Sequence, residues 1–316
     1  PSGLILCGAA LLPAMLLQPL AGREEPLYWA VLGWGITLLL LLDTLAGAPL
    51  QQLSLFSYDP VGGARYYGMG NEYMGVLIGA ALLGTVSLAA LTAGTPVRSG
   101  DRAAPVKERA LSLIAPAILL LYSIIIFVLA APEFGANLGG CLTAAATFGV
   151  SWAGLFGTSG RPGRSGKGAL WSVFLFLLAA AGLLWLLNMH RSGTLPSHVG
   201  HFGELLRRRG LAGLQETALR KLAMNLRLIR YSIWSRAFIT LVGLSIILSL
   251  YPGGLLKRLR REQPYLVVGA GAALAGAATA LLTNDSGVVA AATLLLYAVP
   301  PVLLAVMQKN LRRGQA

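Results

Sequence analysis

Charged residues are scarce in this sequence, and their scarcity excludes an ordinary soluble domain. Only 12% of the 316 residues are charged and 56% are hydrophobic, whereas a soluble domain carries about 25% charged residues. Apolar runs near or above roughly 18 residues recur along the chain, which is typical of transmembrane helices. The runs are continuous rather than alternating, which excludes a membrane β-barrel. We therefore predict an all-α polytopic integral membrane protein.

Cysteine and histidine are also rare, with two and three residues respectively. Cys7 and Cys141 both lie in apolar segments, so neither a disulfide framework nor a cysteine metal site is indicated. The chain contains no P-loop, nucleophile elbow, His-Glu-x-x-His motif or dinucleotide-binding fingerprint. It has no convincing internal repeat, which weakens the interpretation as an inverted-repeat transporter. The sequence thus names no cofactor and no metal.

Nine candidate transmembrane spans can be placed from the apolar runs. They cover residues 2–20, 27–47, 72–94, 110–131, 137–157, 169–188, 236–251, 265–283 and 288–307. The seventh is short for a bilayer, which suggests that residues before Arg236 extend it. The chain begins with Pro1 rather than Met and has no basic leader, so we expect residues 1–316 to form a single transmembrane domain of a longer protein.

The basic residues set the expected orientation. The net charge is +13, and Lys and Arg cluster after spans three, five and seven and in the C-terminal tail, whereas the short loops after spans two, four and eight hold only Arg65. This positive-inside pattern predicts that the N-terminus lies outside and the C-terminus lies in the cytoplasm. We expect the charge to serve topology and contact with anionic lipid, because no nucleic-acid motif accompanies it.

One basic segment does not fit this alternation. Residues 189–235 should be extracytoplasmic, yet they contain eight Lys and Arg residues. The later part, 214–233, is amphipathic. Its apolar helical face consists of Leu219, Leu222, Leu226, Ile229 and Ile233. We interpret it as an interfacial helix in the headgroup region, and the alternative is a re-entrant segment that returns part of it to the inside.

The orientation places four polar segments on one face of the membrane. They are YDPVGGARYYGMGNEYMG (Tyr58–Gly75), PEFGAN (Pro132–Asn137), HRSGTLPSHVGHFGE (His190–Glu204) and NDSG (Asn284–Gly287). Ionisable residues at a membrane edge are energetically costly and by default suggest function. We therefore predict a shared site at which Arg65, Glu72, Glu133 and Asp285 converge.

The side chains suggest candidate roles in this site. Glu72 and Asp285 are candidate catalytic bases or cation ligands, and His198 is a secondary acid–base candidate. Arg65 has the chemistry to hold a phosphate or carboxylate. The other candidate substrate-binding residues are the polar residues beside them: Asn71, Glu133, Asn137, Asn284 and Ser286.

Structural alternatives exist for these residues. Glu72 also suits the positive end of a helix, with Asn71 as its N-cap, and Arg65 is equally suited to pair with Glu72 or Asp59. The NDSG segment has the composition of a tight turn.

Two other features of the polar segments have alternative interpretations. His198, His201 and Glu204 have helical spacing, but this is no established zinc motif. The glycines of the first segment allow close approach either of a ligand or of another helix. They are Gly62, Gly63, Gly68, Gly70 and Gly75.

The run GARYYGMGNEYMG, followed downstream by SHVGHF and NDSG, resembles the membrane region of an uncharacterised family of large bacterial envelope proteins. The resemblance covers most of the chain and implies a multi-pass protein of the bacterial plasma membrane. It implies an extracytoplasmic domain similar to the alkaline-phosphatase superfamily before the membrane region, with which an outside N-terminus is compatible. None of that domain's metal-binding residues lies in this chain, so the resemblance transfers no catalytic residue.

Three functions are compatible with the sequence. The first is an envelope transferase or hydrolase module that acts at the outer leaflet on a lipid-linked or phosphorylated substrate, with a layout similar to that of lipid-linked sugar transferases and polymer ligases. The second is a cation- or proton-coupled transporter or flippase, and the third is a membrane anchor or scaffold for a soluble domain. The expected partners are membrane lipid, an anionic or lipid-linked substrate and an N-terminal extracytoplasmic domain. The depth of the polar residues in the bilayer distinguishes the first two functions, because transporters place coupling residues near the bilayer midplane.

Overall fold

The chain folds as a bundle of helices. The computed structural model describes residues 25–54, 68–93, 104–157, 167–189, 198–251 and 255–314. Within these ranges there are twelve helices and no strand. Their bounds are α1 Glu25–Leu45, α2 Pro49–Gln52, α3 Asn71–Ala93, α4 Ala104–Ala130, α5 Leu138–Phe156, α6 Lys167–Met189, α7 His198–Tyr231, α8 Ile233–Leu250, α9 Leu255–Glu262, α10 Pro264–Thr283, α11 Gly287–Leu295 and α12 Val299–Gly314.

Eight stretches in the described residues are long and apolar enough to cross a bilayer, so the prediction of an all-α polytopic membrane protein is confirmed. They are α1, α3, α4 from Ala110, α5, most of α6, α8, α10, and α11 together with most of α12. These stretches correspond to predicted spans two to nine. The seventh span does recruit earlier residues, because α8 begins at Ile233. The first predicted span, 2–20, lies outside the described residues.

Helix α3 forms the centre of the bundle. It packs against α1, α4, α5, α10 and α11, and Met74, Leu77 and Ile78 on it are fully buried. Gly75 faces α11, where an added β-carbon would overlap the Thr293 hydroxyl and the Ala290 carbonyl oxygen. The missing side chain therefore allows the two helices to approach closely, as small residues commonly do between membrane helices.

The last predicted span is broken into two helices. The chain leaves α11 at Leu295 and begins α12 at Val299, with a turn at residues 296–298 between them. Pro300 and Pro301 follow the turn and have no N–H to donate to the carbonyl groups one helical turn earlier. Helix α11 has nine residues, all buried, and at 1.5 Å per residue it covers about 13 Å, or about half of a bilayer core.

Two features mark opposite ends of α10. The polar NDSG turn follows its last residue, Thr283. The short basic helix α9 precedes its first residue, Pro264, and Leu259 of α9 is buried in a small apolar cluster that includes Val302 and Val306 of α12. A 20-residue helix is about 30 Å long, so the basic helix and the polar turn lie on opposite sides of a bilayer core.

A buried aromatic pair joins α4 to α5 within the bundle. The Tyr122 ring stacks on Phe148 with their centroids 3.9 Å apart. The Tyr122 hydroxyl lies 3.0 Å from the Ser151 Oγ, and both residues are fully buried. Interhelical hydrogen bonds of this kind are a common source of specificity between membrane helices.

Replacing Tyr122 with phenylalanine is expected to lower the free energy of unfolding by about 1 kcal/mol, because the interhelical hydrogen bond is lost while the stacked ring remains. Thermal or denaturant unfolding of the purified protein in bicelles measures the change. Tyr251→Phe is the matched control, since Tyr251 is 59% exposed, and it should change stability little. Equal shifts for the two variants would show that the Tyr122–Ser151 contact contributes nothing.

Candidate functional site

Asn137 joins two of the predicted polar segments. It is buried and caps α5, with its Oδ1 accepting a 2.8 Å hydrogen bond from Gly140 N. Its Nδ2 donates to Met69 O at 3.1 Å and to Asn71 Oδ1 at 3.3 Å. The amide group therefore holds the first turn of α3 against the first turn of α5. We call the end of the bundle that carries these two turns the polar end.

The backbone strengthens this junction just before α3. Met69 N donates to Gly135 O at 2.8 Å. Gly68 has a φ of +71°, and a β-carbon there would stand 2.5 Å from the same Gly135 carbonyl oxygen. Glycine is required here by both conformation and space. At this position the close approach is between two chain segments of the protein.

Glu72 is buried at the start of α3, with 7% of its surface exposed. The Gly70 carbonyl accepts from Met74 N at 2.9 Å, which places Gly70 in the capping position before α3. Asn71 is therefore the first helical residue rather than the cap. The Glu72 carboxylate folds back toward the helix N-terminus, because its Oε2 is 2.8 Å from where a β-carbon on Gly70 would stand. The N-terminal end of a helix favours a negative charge at that place.

Tyr73 brings the end of α1 into the same region. Its hydroxyl is hydrogen-bonded to the Ser54 side chain, and the carboxylates of Asp43 and Glu72 both act on it electrostatically. Asp43 is buried and accepts from Leu50 N at 2.9 Å through Oδ1. We did not predict Tyr73 or Ser54 as site residues. In the sequence, the one feature that points to Tyr73 as a site residue is its position directly after Glu72.

Asn284 connects the NDSG turn to α5. It is buried, and its Nδ2 donates to Thr143 Oγ1 at 3.3 Å. Its Oδ1 lies against Gly139, and the neighbouring Thr283 hydroxyl donates to Gly139 O at 3.3 Å. Gly139 is two residues after Asn137. The first turn of α5 is therefore the place where three of the predicted polar segments meet.

Asn225 of α7 binds the same turn from the other side, and sequence reasoning missed it. Its Nδ2 donates to Leu281 O at 3.1 Å and to Asn284 O at 3.2 Å. Its Oδ1 accepts from Val288 N at 3.0 Å. One buried amide thus caps the end of α10 and the beginning of α11. In the sequence, the one feature that points to Asn225 is that it is an uncharged polar residue off the leucine face of an amphipathic helix.

Lys221 and Arg220 of α7 also contact this turn. Lys221 donates from Nζ to the Thr283 carbonyl. Burial lowers the pKa of Lys221 below its usual range, the nearby Asp285 opposes that shift, and Arg220 adds to it. Arg220 Nη2 lies 3.9 Å from Asp285 Oδ1, with the two side chains 63% and 49% exposed. Such an exposed ion pair is worth at most about 1 kcal/mol.

The structure separates the predicted site residues into three groups. Asn71, Glu72, Asn137, Asn284 and Ser286 lie on the turns that begin α3, α5 and α11, and all but the partly exposed Asn71 are buried. Glu133 and Asp285 are exposed on the adjoining turns. Arg65 lies outside the described residues. His198 begins α7, and its side chain also lies outside them.

Metal ligands do not gather in the part of the chain that the structure describes. No group of three His, Cys, Asp or Glu residues there is placed to hold a metal ion. The side chains of His198, His201 and Glu204 lie outside the described residues, so a metal site formed by this trio stays a prediction.

Comparison of the chain with protein-family models, with curated proteins and with solved structures finds no match. The fold and the described side chains define the general class of the protein. It is a multi-pass helical membrane protein with a cluster of buried amide and carboxylate side chains at one end of its bundle.

Proposed function

We propose that this protein is an envelope enzyme that acts at the membrane interface on a lipid-linked or phosphorylated substrate. The observation that carries the proposal is the buried carboxylate of Glu72, which lies in a polar cluster in the first turn of the span α3 rather than near the middle of that span. Helices of about 20 residues match the bilayer core, so their ends lie near the headgroups. The reactive group of a lipid-linked substrate lies at the same depth.

In this proposal Glu72 is the general base. Its carboxylate takes the proton from a hydroxyl or water nucleophile whose oxygen bonds to the transferred group. The bond between that group and the phosphate that carries it breaks at the same time, and the phosphate leaves as an anion. Tyr73 lies beside Glu72 and offers a hydroxyl to the anionic group, and Arg65 is expected to hold the phosphate bidentately. Asn137 positions Glu72 indirectly, because its contacts to Met69 and Asn71 fix the turn that begins α3.

We propose an extracytoplasmic location for the site. Support comes from α10, which has the basic helix α9 before it and the polar turn after it. Under the positive-inside rule the basic end is cytoplasmic and the polar end faces outside. This agrees with the alternation of basic loops in the sequence and with a bacterial plasma-membrane protein whose C-terminus is cytoplasmic.

A cation- or proton-coupled transporter is the second candidate function, and the broken span favours it. Discontinuous helices at mid-depth often form transporter binding sites. Here, however, a small cavity beside the break is lined by apolar residues and one tyrosine: Leu82, Leu83, Val86, Leu266, Gly269, Ala270, Tyr297 and Ala298. This lining offers few ligands to a coupling ion, which is why we rank the enzyme first. The third function, an anchor for an N-terminal extracytoplasmic domain, rests on the family resemblance alone.

One reconstituted system tests the enzyme and the transporter together. Vesicles containing the purified protein receive a fluorescent polyprenyl-diphosphate-linked sugar and a soluble sugar acceptor. We expect thin-layer chromatography to show conversion of the labelled lipid, with no faster quenching of its fluorescence by externally added dithionite than in protein-free vesicles. Faster loss of the protected inner-leaflet label without conversion would instead identify a flippase, and the absence of both would overturn the proposal for this substrate class.

A further inference from the structure

The later half of α7 has three distinct sides. Lys221, Asn225 and Leu228 face the bundle, and the latter two are 3% exposed. A second side carries an apolar stripe at helical spacing, and its members are largely exposed: Leu219, Leu222, Leu226 and Ile229 at 58%, 54%, 60% and 38%. A third side carries the exposed Arg227 and Arg230. The exposed apolar stripe is the predicted leucine face, and it points away from the protein.

The position of α7 identifies what covers this stripe. Asn225 and Lys221 bind residues 281–288, which are the end of α10 and the beginning of α11. This part of α7 therefore lies at the polar end of the bundle, at the level where the spans enter the headgroup region. An apolar stripe beside arginines at that level has the composition of a helix that lies in a lipid interface.

We propose that this face of α7 docks on a leaflet of acidic phospholipid, and that Asn225 transmits the docking to the NDSG turn of the polar end. The stripe enters the acyl boundary, and Arg227 and Arg230 contact anionic headgroups, each contributing to attraction at short range. The fixed helix then holds the turn through three hydrogen bonds, because Asn225 Nδ2 donates to Leu281 O and Asn284 O and Asn225 Oδ1 accepts from Val288 N. Acidic lipid is thereby a partner that orders the turn.

The NDSG turn is connected to the candidate site by direct contacts, so ordering of the turn should also affect the site. Asn284 in the turn bonds Thr143 and packs on Gly139 of α5. Asn137, which begins α5, bonds Met69 and Asn71 next to Glu72. The inference concerns lipid binding and the order of the turn, so it stands or falls independently of the proposed reaction.

Hydrogen–deuterium exchange of the full chain in nanodiscs tests the proposed docking of α7 on acidic lipid. We compare phosphatidylcholine alone with a mixture containing phosphatidylglycerol. Acidic lipid should slow exchange by about threefold or more in peptides that cover residues 219–230 and 281–288. Similar exchange in both lipids would overturn the proposal.

Variants separate docking from transmission. Arg227→Gln with Arg230→Gln should remove the effect of acidic lipid on both peptides. The matched control is Arg260→Gln with Arg261→Gln, two exposed arginines on α9, which should leave the effect intact. Loss of the effect in the α9 variant, or its persistence in the α7 variant, would contradict docking by α7.

Asn225→Asp tests whether Asn225 transmits lipid docking to the NDSG turn. It is a smaller structural change than removal of the whole side chain. The carboxylate still accepts from Val288 N but cannot donate to Leu281 O and Asn284 O. We expect residues 219–230 to keep their protection by acidic lipid while residues 281–288 lose it. If residues 281–288 respond as in the wild type, Asn225 does not carry the coupling.

Discussion

Replacing Glu72 with glutamine is expected to lower the initial rate of substrate conversion by about 100-fold or more, because a positioned general base contributes at least that factor. Glutamine keeps the size of the side chain but cannot accept the proton. The rate is measured by thin-layer chromatography in the vesicles described above, at equal amounts of reconstituted protein. The unfolding temperature should change little, because the side chain remains polar and the helix start is unaltered.

Two further variants distinguish loss of the general base from other causes of a lower rate. Glu216→Gln makes the same chemical change at an exposed position of α7 and should convert substrate at the wild-type rate. Glu72→Asp keeps the base but withdraws it by one methylene, so it should retain partial activity. Wild-type activity of Glu72→Gln in a folded protein would assign Glu72 to the helix terminus alone, as the structural alternative from the sequence holds.

Predicted spans two to nine match the structure because a bilayer imposes their length. Backbone groups in lipid must be satisfied within a helix, and about 20 apolar residues cover the core. The break at residues 296–298 escaped prediction for the same reason, since proline is tolerated in membrane helices and the sequence there stays apolar. Only the structure shows that α11 ends at Leu295, where it packs against α3 and α10, and that a turn follows it.

The polar end was predictable as a set of segments but not as a set of contacts. Loop order and the basic residues placed the PEFGAN and NDSG segments together, and the structure joins both to the first turn of α5 through Asn137 and Asn284. Which polar residues turn inward depends on side-chain packing that no spacing rule encodes. Asp285 is about half exposed beside Arg220, whereas its neighbour Asn284 is buried, because a residue at a helix end can be satisfied by water as well as by protein.

Gly75→Leu is expected to destabilise the protein by about 3 kcal/mol or more, the upper range for overpacking of a well-packed core. A side chain there would meet the Ala290 carbonyl and the Thr293 hydroxyl of α11. The first of these is a backbone atom of a wholly buried helix, so relief requires α3 and α11 to move apart. Thermal unfolding in bicelles and size-exclusion chromatography measure the loss.

Gly271→Leu is the control for this prediction. Gly271 is exposed on α10, and nothing lies within 4 Å of a β-carbon built there. A leucine at this position faces lipid, and we expect its effect on stability to stay within about 0.5 kcal/mol. The comparison also decides between the two interpretations of the glycine in the GARYYGMGNEYMG run. If Gly75→Leu folds as stably as Gly271→Leu but fails to convert substrate, Gly75 serves the approach of a ligand, and the close contact between α3 and α11 is not what requires it.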